Sequence, residues 1–150
     1  GIWGHGAAAF PASAHRPAYH IPLIMAGAGI AEGAVCSGLV SQIDLFPTLA
    51  GLAAVDDAAP SLPSSAQDLA PALQGSSFGA EAVFYEQEET RAIRTDDWVY
   101  AMRFQGAAQF PMEDAAYCLT DDPGETTNLA AAPHVADVVA GLRARLCARR

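Results

Sequence analysis

Positive charge is scarce in this sequence. Eight Lys or Arg stand against seventeen Asp or Glu, a formal net charge of −9. Nucleic-acid binders use Lys and Arg to displace counterions from phosphates, and peripheral membrane proteins use basic clusters to hold anionic lipid. The balance argues against both partners. Cysteine is scarce too. Cys36, Cys118 and Cys147 are widely spaced and odd in number, so no disulfide framework is implied. There is no CxxC pair, hence no case for a structural zinc site. Long hydrophobic runs are also missing. The longest apolar stretch, residues 21–30, is interrupted by Pro22, Gly27 and Gly29 and is too short to span a bilayer. No charged n-region leads into an apolar h-region, so no signal peptide is expected in these residues. Localisation is left open.

What is present suits a folded chain. The 150 residues are 51% hydrophobic and 17% charged, the length of one typical domain. Much of that apolar content is alanine, so the core must rest on Leu, Ile, Val and the aromatics.

Residues 1–19 are rich in Gly, Ala, Pro and His without a period of 2 or 3.6, which predicts loop. Ile21 to Gly27 is a short apolar run that predicts a buried strand, with Pro22 at its tolerant first position. Val35 to Ile43 is a second extended candidate. Asp44 is placed to cap a helix carrying a core-facing stripe of Leu45, Leu49 and Leu52. Pro60 to Gly79 reads as a long connection with one helical turn within 66–73. Strands are then expected at Ala82–Glu86, Arg91–Thr95 and Trp98–Met102, the last two joined by the Asp96-Asp97 turn. Tyr117–Leu119 adds a strand, and Asp121-Asp122-Pro123-Gly124 is a turn. From Pro133, Val135, Val138, Val139, Leu142 and Leu146 form an amphipathic stripe. The fold class read from this order is the α/β edge of a larger sheet followed by an α+β C-terminal subdomain. That subdomain is a small antiparallel sheet packed by one C-terminal helix.

Four segments carry a resemblance. Residues 40–53, VSQIDLFPTLAGLA, resemble a segment of sulfatases. Residues 91–100, RAIRTDDWVY, are similar to their "RA-V/I-RT-x-x-W-K-Y" hairpin, and residues 121–129, DDPGETTNL, to their "DPGE-x-x-NL" turn. Ile21-Pro22-Leu23-Ile24 followed by Gly27-Ala28-Gly29-Ile30 resembles their "VPLI…G-P-G-I". The four occur in the family's order. The resemblance implies the alkaline-phosphatase-like superfamily, with a large α/β catalytic domain followed by a smaller sheet-and-helix domain. On that basis residues 1–58 are expected to be the end of the catalytic domain, 59–80 a linker and 81–150 the C-terminal subdomain. The segments themselves are caps, turns and core positions, which explain themselves without a substrate.

The chemistry that the resemblance implies is largely elsewhere. Sulfatases hydrolyse sulfate esters with a formylglycine made from a C/S-x-P-x-R motif, and none of the three cysteines opens one. The implied divalent cation, Ca or Mg, takes Asp, Asn or Gln oxygens. Those ligands are expected in a missing N-terminal portion of the same protein, which is therefore the implied partner of an isolated, inactive fragment. One position remains. Gly1-Ile2-Trp3-Gly4-His5-Gly6 resembles "G-L-W-G-K-G", whose lysine contacts the substrate sulfate. His5 stands in place of that lysine, and its imidazolium could donate to a sulfate oxygen or leaving group. His15 and His20 have no helix-face geometry for a metal, although His15 or Arg16 could line an anionic pocket. Two alternatives stand beside sulfate-ester hydrolysis: phosphonate or phosphate ester hydrolysis in the same superfamily, and a non-catalytic interaction module.

Overall fold

The computed structural model describes residues 14–55, 66–87, 90–103 and 113–149. By its contacts the chain divides into two units. One joins the N-terminal stretch ending at Ile21 to everything from Phe84 onward; the other is Pro22–Val83.

The first unit is built on a four-stranded sheet: β1 (Val83–Gln87), β2 (Thr90–Arg94), β3 (Trp98–Arg103) and β4 (Ala115–Cys118) lie side by side in sequence order. The hairpin predicted around Asp96-Asp97 is there. Arg94 pairs with Val99 and Ile93 with Tyr100, antiparallel, and the Thr95 N–H donates to the Trp98 carbonyl across the turn. β4 pairs antiparallel with β3, Val99 opposite Tyr117 and Tyr100 opposite Ala116. Because side chains alternate along a strand, Ile93, Tyr100 and Ala116 share one face. Ala92, Arg94, Val99, Ala101 and Tyr117 share the other.

The helix predicted from Pro133 opens with a 3-10 turn, Pro133–Val135, and continues as an α-helix, Ala136–Ala148. Only Leu142 and Leu146 of its stripe are buried, while Val138 is 40% exposed. The helix packs on β2 and β3. Arg143 pairs with Asp114 at 3.4 Å, and Asp114 accepts the Tyr100 hydroxyl, tying the helix to the sheet. This is the sheet-and-helix subdomain that the sequence predicts.

The opposite face is covered from the N-terminal side. Ala14 packs against Ala92 and Ala101, with Tyr85 beside them, and the Tyr85 hydroxyl donates to the Ala14 carbonyl at 3.0 Å. Three small side chains in register let backbone lie close to the sheet. Residues 16–19 depart from the loop expectation: Arg16–Tyr19 is one helical turn, α1, with Pro17 in its first turn. Proline presets the backbone angle that a first turn needs.

In the second unit, a 3-10 turn at Gln42–Asp44 leads into α2 (Leu45–Leu52), and α3 is the turn Ala70–Leu73. Asp44 does precede α2, but its carboxylate points back and accepts from the Ser41 and Gln67 N–H groups, both at 2.8 Å. The predicted leucine stripe is not the buried face. Leu49 and Leu52 are exposed and Thr48 is buried, its hydroxyl donating to the Asp44 carbonyl and accepting from the Leu69 N–H. The runs 21–27 and 35–43 also differ from expectation, since among the described residues neither belongs to a strand. Ile24 is 91% and Val35 92% exposed. A strand is stabilised by a ladder of hydrogen bonds, and the 35–43 run has only isolated ones to residues 78–80: the Ala80 N–H donates to the Leu39 carbonyl at 2.9 Å and the Cys36 thiol to the Phe78 carbonyl at 3.3 Å. Among these residues no helix is long and apolar enough to cross a membrane.

Candidate functional site

His5, the sequence's candidate for contact with a sulfate, lies outside the described residues. His20 and His134 are exposed. The groups that do come together are His15, Arg16, Arg94 and Glu125, on the sheet face covered by Ala14.

Glu125 closes the Asp122-Pro123-Gly124 turn. Its N–H donates to the Asp122 carbonyl, and the Asp122 carboxylate accepts the Thr126 and Thr127 N–H groups at 2.7 and 2.8 Å. Those donors, the Thr127 N–H first, hold Asp122 below its ordinary pKa of 3.8. The turn puts Glu125 at φ +56°, a left-handed conformation that costs a side-chain-bearing residue energy. The conformation delivers its carboxylate inward, where the residue is 2% exposed.

There the carboxylate meets three donors. The Arg16 backbone N–H donates to Oε2 at 2.6 Å, Arg94 donates to Oε1 at 3.0 Å, and His15 Nδ1 lies 3.6 Å from Oε2. The His15 ring packs on Tyr117, centroids 5.2 Å apart. Burial alone raises the pKa of Glu125, but the His15 imidazole, the Arg16 N–H and Arg94 outweigh it and hold the group below 4.5. A carboxylate so placed stays ionised at neutral pH and has its lone pairs engaged. It anchors; it is not arranged to pass a proton.

The backbone of His15 and Arg16 also fixes the α1 turn. The Ala18 N–H donates to the His15 carbonyl and the His20 N–H to the Arg16 carbonyl, at 2.9 and 2.8 Å. Arg16 is thus held at both its N–H and its carbonyl while its side chain is exposed. The backbone that the Glu125 carboxylate holds belongs to a residue 109 positions away rather than to its own turn. Arg94 was missed as its partner. The signal was the strand alternation that sets Arg94 on the same face as Ala92.

Among the described residues, no three His, Cys, Asp or Glu side chains come together to hold a metal ion. The calcium or magnesium implied by the family resemblance has no ligand set among the described residues.

No protein-family model matches the chain. Arylsulfatase K from human is 30% identical over 135 residues, covering 79% of this chain and 24% of the relative. The bovine arylsulfatase K is 29% identical over 133 residues with the same coverage. This chain therefore spans about a quarter of the length of the curated relatives it matches. Among solved structures, a 2-O GAG sulfatase matches with a TM-score of 0.59 and 29% identity, over 81% of this chain and 27% of that one. A phosphonate monoester hydrolase of Agrobacterium radiobacter shares the fold, with a TM-score of 0.55 at 24% identity over 71% and 24%. The ordered motifs, the sheet-and-helix fold and these matches agree: the chain belongs to the sulfatase family and corresponds to its C-terminal part.

Proposed function

We propose that these residues are the C-terminal part of a sulfatase-like hydrolase that cleaves a sulfate ester. In this reading the formylglycine and metal ligands lie in a polypeptide portion outside the 150 residues. The observation that carries it is the alignment of 79% of the chain with only 24% of arylsulfatase K. The second unit supports it. Ile24, Val35, Phe46, Leu49 and Leu52 of that unit are exposed, large apolar side chains that a further domain could cover. We assign that surface to the catalytic domain that would precede it, whose sheet would supply the neighbour that the 21–27 run lacks. The substrate is a small sulfate ester, and the divalent cation belongs to the catalytic domain. The domain division expected from the sequence, 1–58 catalytic, 59–80 linker and 81–150 subdomain, is part of the same proposal.

Purified 1–150 should give no turnover of an aryl sulfate. The longer polypeptide encoded upstream in the same reading frame should carry a C/S-x-P-x-R motif and hydrolyse it. Turnover by 1–150 alone, or an upstream sequence without that motif, would overturn the reading. In the superfamily alternative, phosphonate or phosphate ester hydrolysis, an unmodified Thr or Ser nucleophile in the upstream portion favours phosphate, and His5 in the family's lysine position is what favours testing it.

A further inference from the structure

Residues 14–20 lie on the sheet as one short strap. By contacts the strap belongs with Phe84–Arg150, although the whole of Pro22–Val83 separates the two in sequence. It is held by different forces from those that hold the helix on the other face. The helix side is apolar, with Ile93, Tyr100, Leu142 and Leu146 all buried. The strap's buried apolar contact is Ala14 on Ala92 and Ala101, three methyl groups that remove little area from water. Its other attachments are polar or aromatic. The Tyr85 hydroxyl donates to the Ala14 carbonyl at 3.0 Å. The His15 ring lies on Tyr117 and the Tyr19 ring on Tyr85, centroids 5.2 and 4.0 Å apart. The Arg16 N–H donates to the Glu125 carboxylate at 2.6 Å.

That carboxylate is the hub of the attachment. His15 and the Arg16 N–H reach it from the strap and Arg94 from β2. Tyr85 of β1 and Tyr117 of β4 stand near it. Burial first, and then the Glu125 charge, push both hydroxyls up, so they stay neutral in acid. Arg103 of β3 acts on Tyr19 and Tyr117. Asp122, in the turn that carries Glu125, titrates in acid as well. Protonating Glu125 removes the anion and leaves the Arg94 guanidinium and the His15 ring around a neutral carboxyl. Hydrogen bonds to a charged group are roughly twice as strong as neutral ones, so the hold on the Arg16 N–H weakens. Glu125 also stands at φ +56°, a conformation that a side-chain-bearing residue keeps only while its surroundings enforce it. Loss of the charge removes part of that enforcement.

We propose that residues 14–20 are a strap latched to the sheet by the Glu125 carboxylate, and that acid releases the strap as a unit while the sheet and its helix stay folded. The latch needs no substrate and stands independently of the sulfatase reading. The strap joins the chain before Ala14 to the second unit, so its release frees that junction.

The test is amide exchange on 1–150 by NMR, corrected for the intrinsic dependence of exchange on pH. Two groups are compared: Arg16, Ala18 and His20 in the strap, and Val99, Tyr100 and Ala101 in β3. At pH 6.5 both should be protected. As the pH falls below 4.5, strap protection should drop about 10- to 100-fold, the range for losing one charge-assisted bond, before β3 loses any. Glu125→Gln should show the lowered strap protection already at pH 6.5, with no further fall in acid. Tyr85→Phe removes only the bond to the Ala14 carbonyl. It should weaken the strap at every pH and keep the acid response. Strap and β3 losing protection at the same pH would overturn the latch, because the sheet would then be unfolding with it. Unchanged strap protection in Glu125→Gln would overturn it too. An acid response that survives in Glu125→Gln would move the trigger to Asp122 or His15 and remove Glu125 from the role. Should Glu125→Gln not fold, the wild-type titration decides alone: strap first supports the latch, strap and β3 together overturn it.

Discussion

An ionised carboxylate at 2% exposure persists only with donors around it. Glu125 has them, and its stability contribution depends on its charge. Its folded pKa lies below the ordinary 4.5, so the unfolded chain takes up the proton first as pH falls. The stabilisation is therefore fully present above 4.5 and is lost as the pH drops through the depressed folded value. Glu125→Gln should lower the urea midpoint at pH 7, and the gap from wild type should close as the pH falls below 4.5. A gap independent of pH would mean that shape rather than charge is responsible. Glu125→Ala should cost more, about 3 kcal/mol, because it leaves Arg94 without its partner; the 24% exposure of the Arg94 side chain keeps the figure at the lower end. The sequence placed Glu125 in a turn segment, and a turn glutamate can bond backbone. It could not show which backbone, because Arg16 is 109 positions away.

Between elements, close backbone approach decides more than side-chain pattern. Gly38 lies so near residues 78–79 that an added Cβ would meet the Phe78 carbonyl oxygen at 1.9 Å and the Gly79 Cα at 2.6 Å. Backbone cannot swing aside as a side chain can. Gly38→Ala should cost about 1–3 kcal/mol, read as a fall in the urea midpoint, whereas Gly141→Ala, with open space around it, should not lower it. An unchanged midpoint for Gly38→Ala would show that the two segments separate without cost. The second unit also shows why the leucine stripe of α2 misled. Periodicity finds the apolar face but does not say what covers it. Among the described residues the helix buries Thr48, whose hydroxyl satisfies the Leu69 N–H. By contrast, the β2–β3 hairpin was legible because its turn and alternation are local, and each strand is the other's partner.

At the scale of the whole molecule, the two units differ in how much of their structure they complete. β3 is paired on both sides and its Val99, Tyr100 and Ala101 are buried. The run 21–24 is exposed and outside any strand. Hydrogen exchange on 1–150 should therefore find the slowest amides in β3 and fast exchange across residues 21–41. In the longer polypeptide the second group should become protected. Equal protection of 21–41 in the isolated chain would contradict the assignment of that surface to a preceding domain.

By itself the sequence determined the sheet-and-helix subdomain, the turns and the family. Those depend on residue type at short spacing: alternation, an acidic turn, an Asp-Pro-Gly step, a helical stripe. Only the tertiary structure decided that Glu125 holds Arg16, that Arg94 shares the carboxylate, and that Ala14 lies on Ala92 and Ala101. These are contacts between chain segments far apart in sequence. Their partners are chosen by which sheet face a residue occupies and what backbone comes to cover it, and no local pattern encodes that choice.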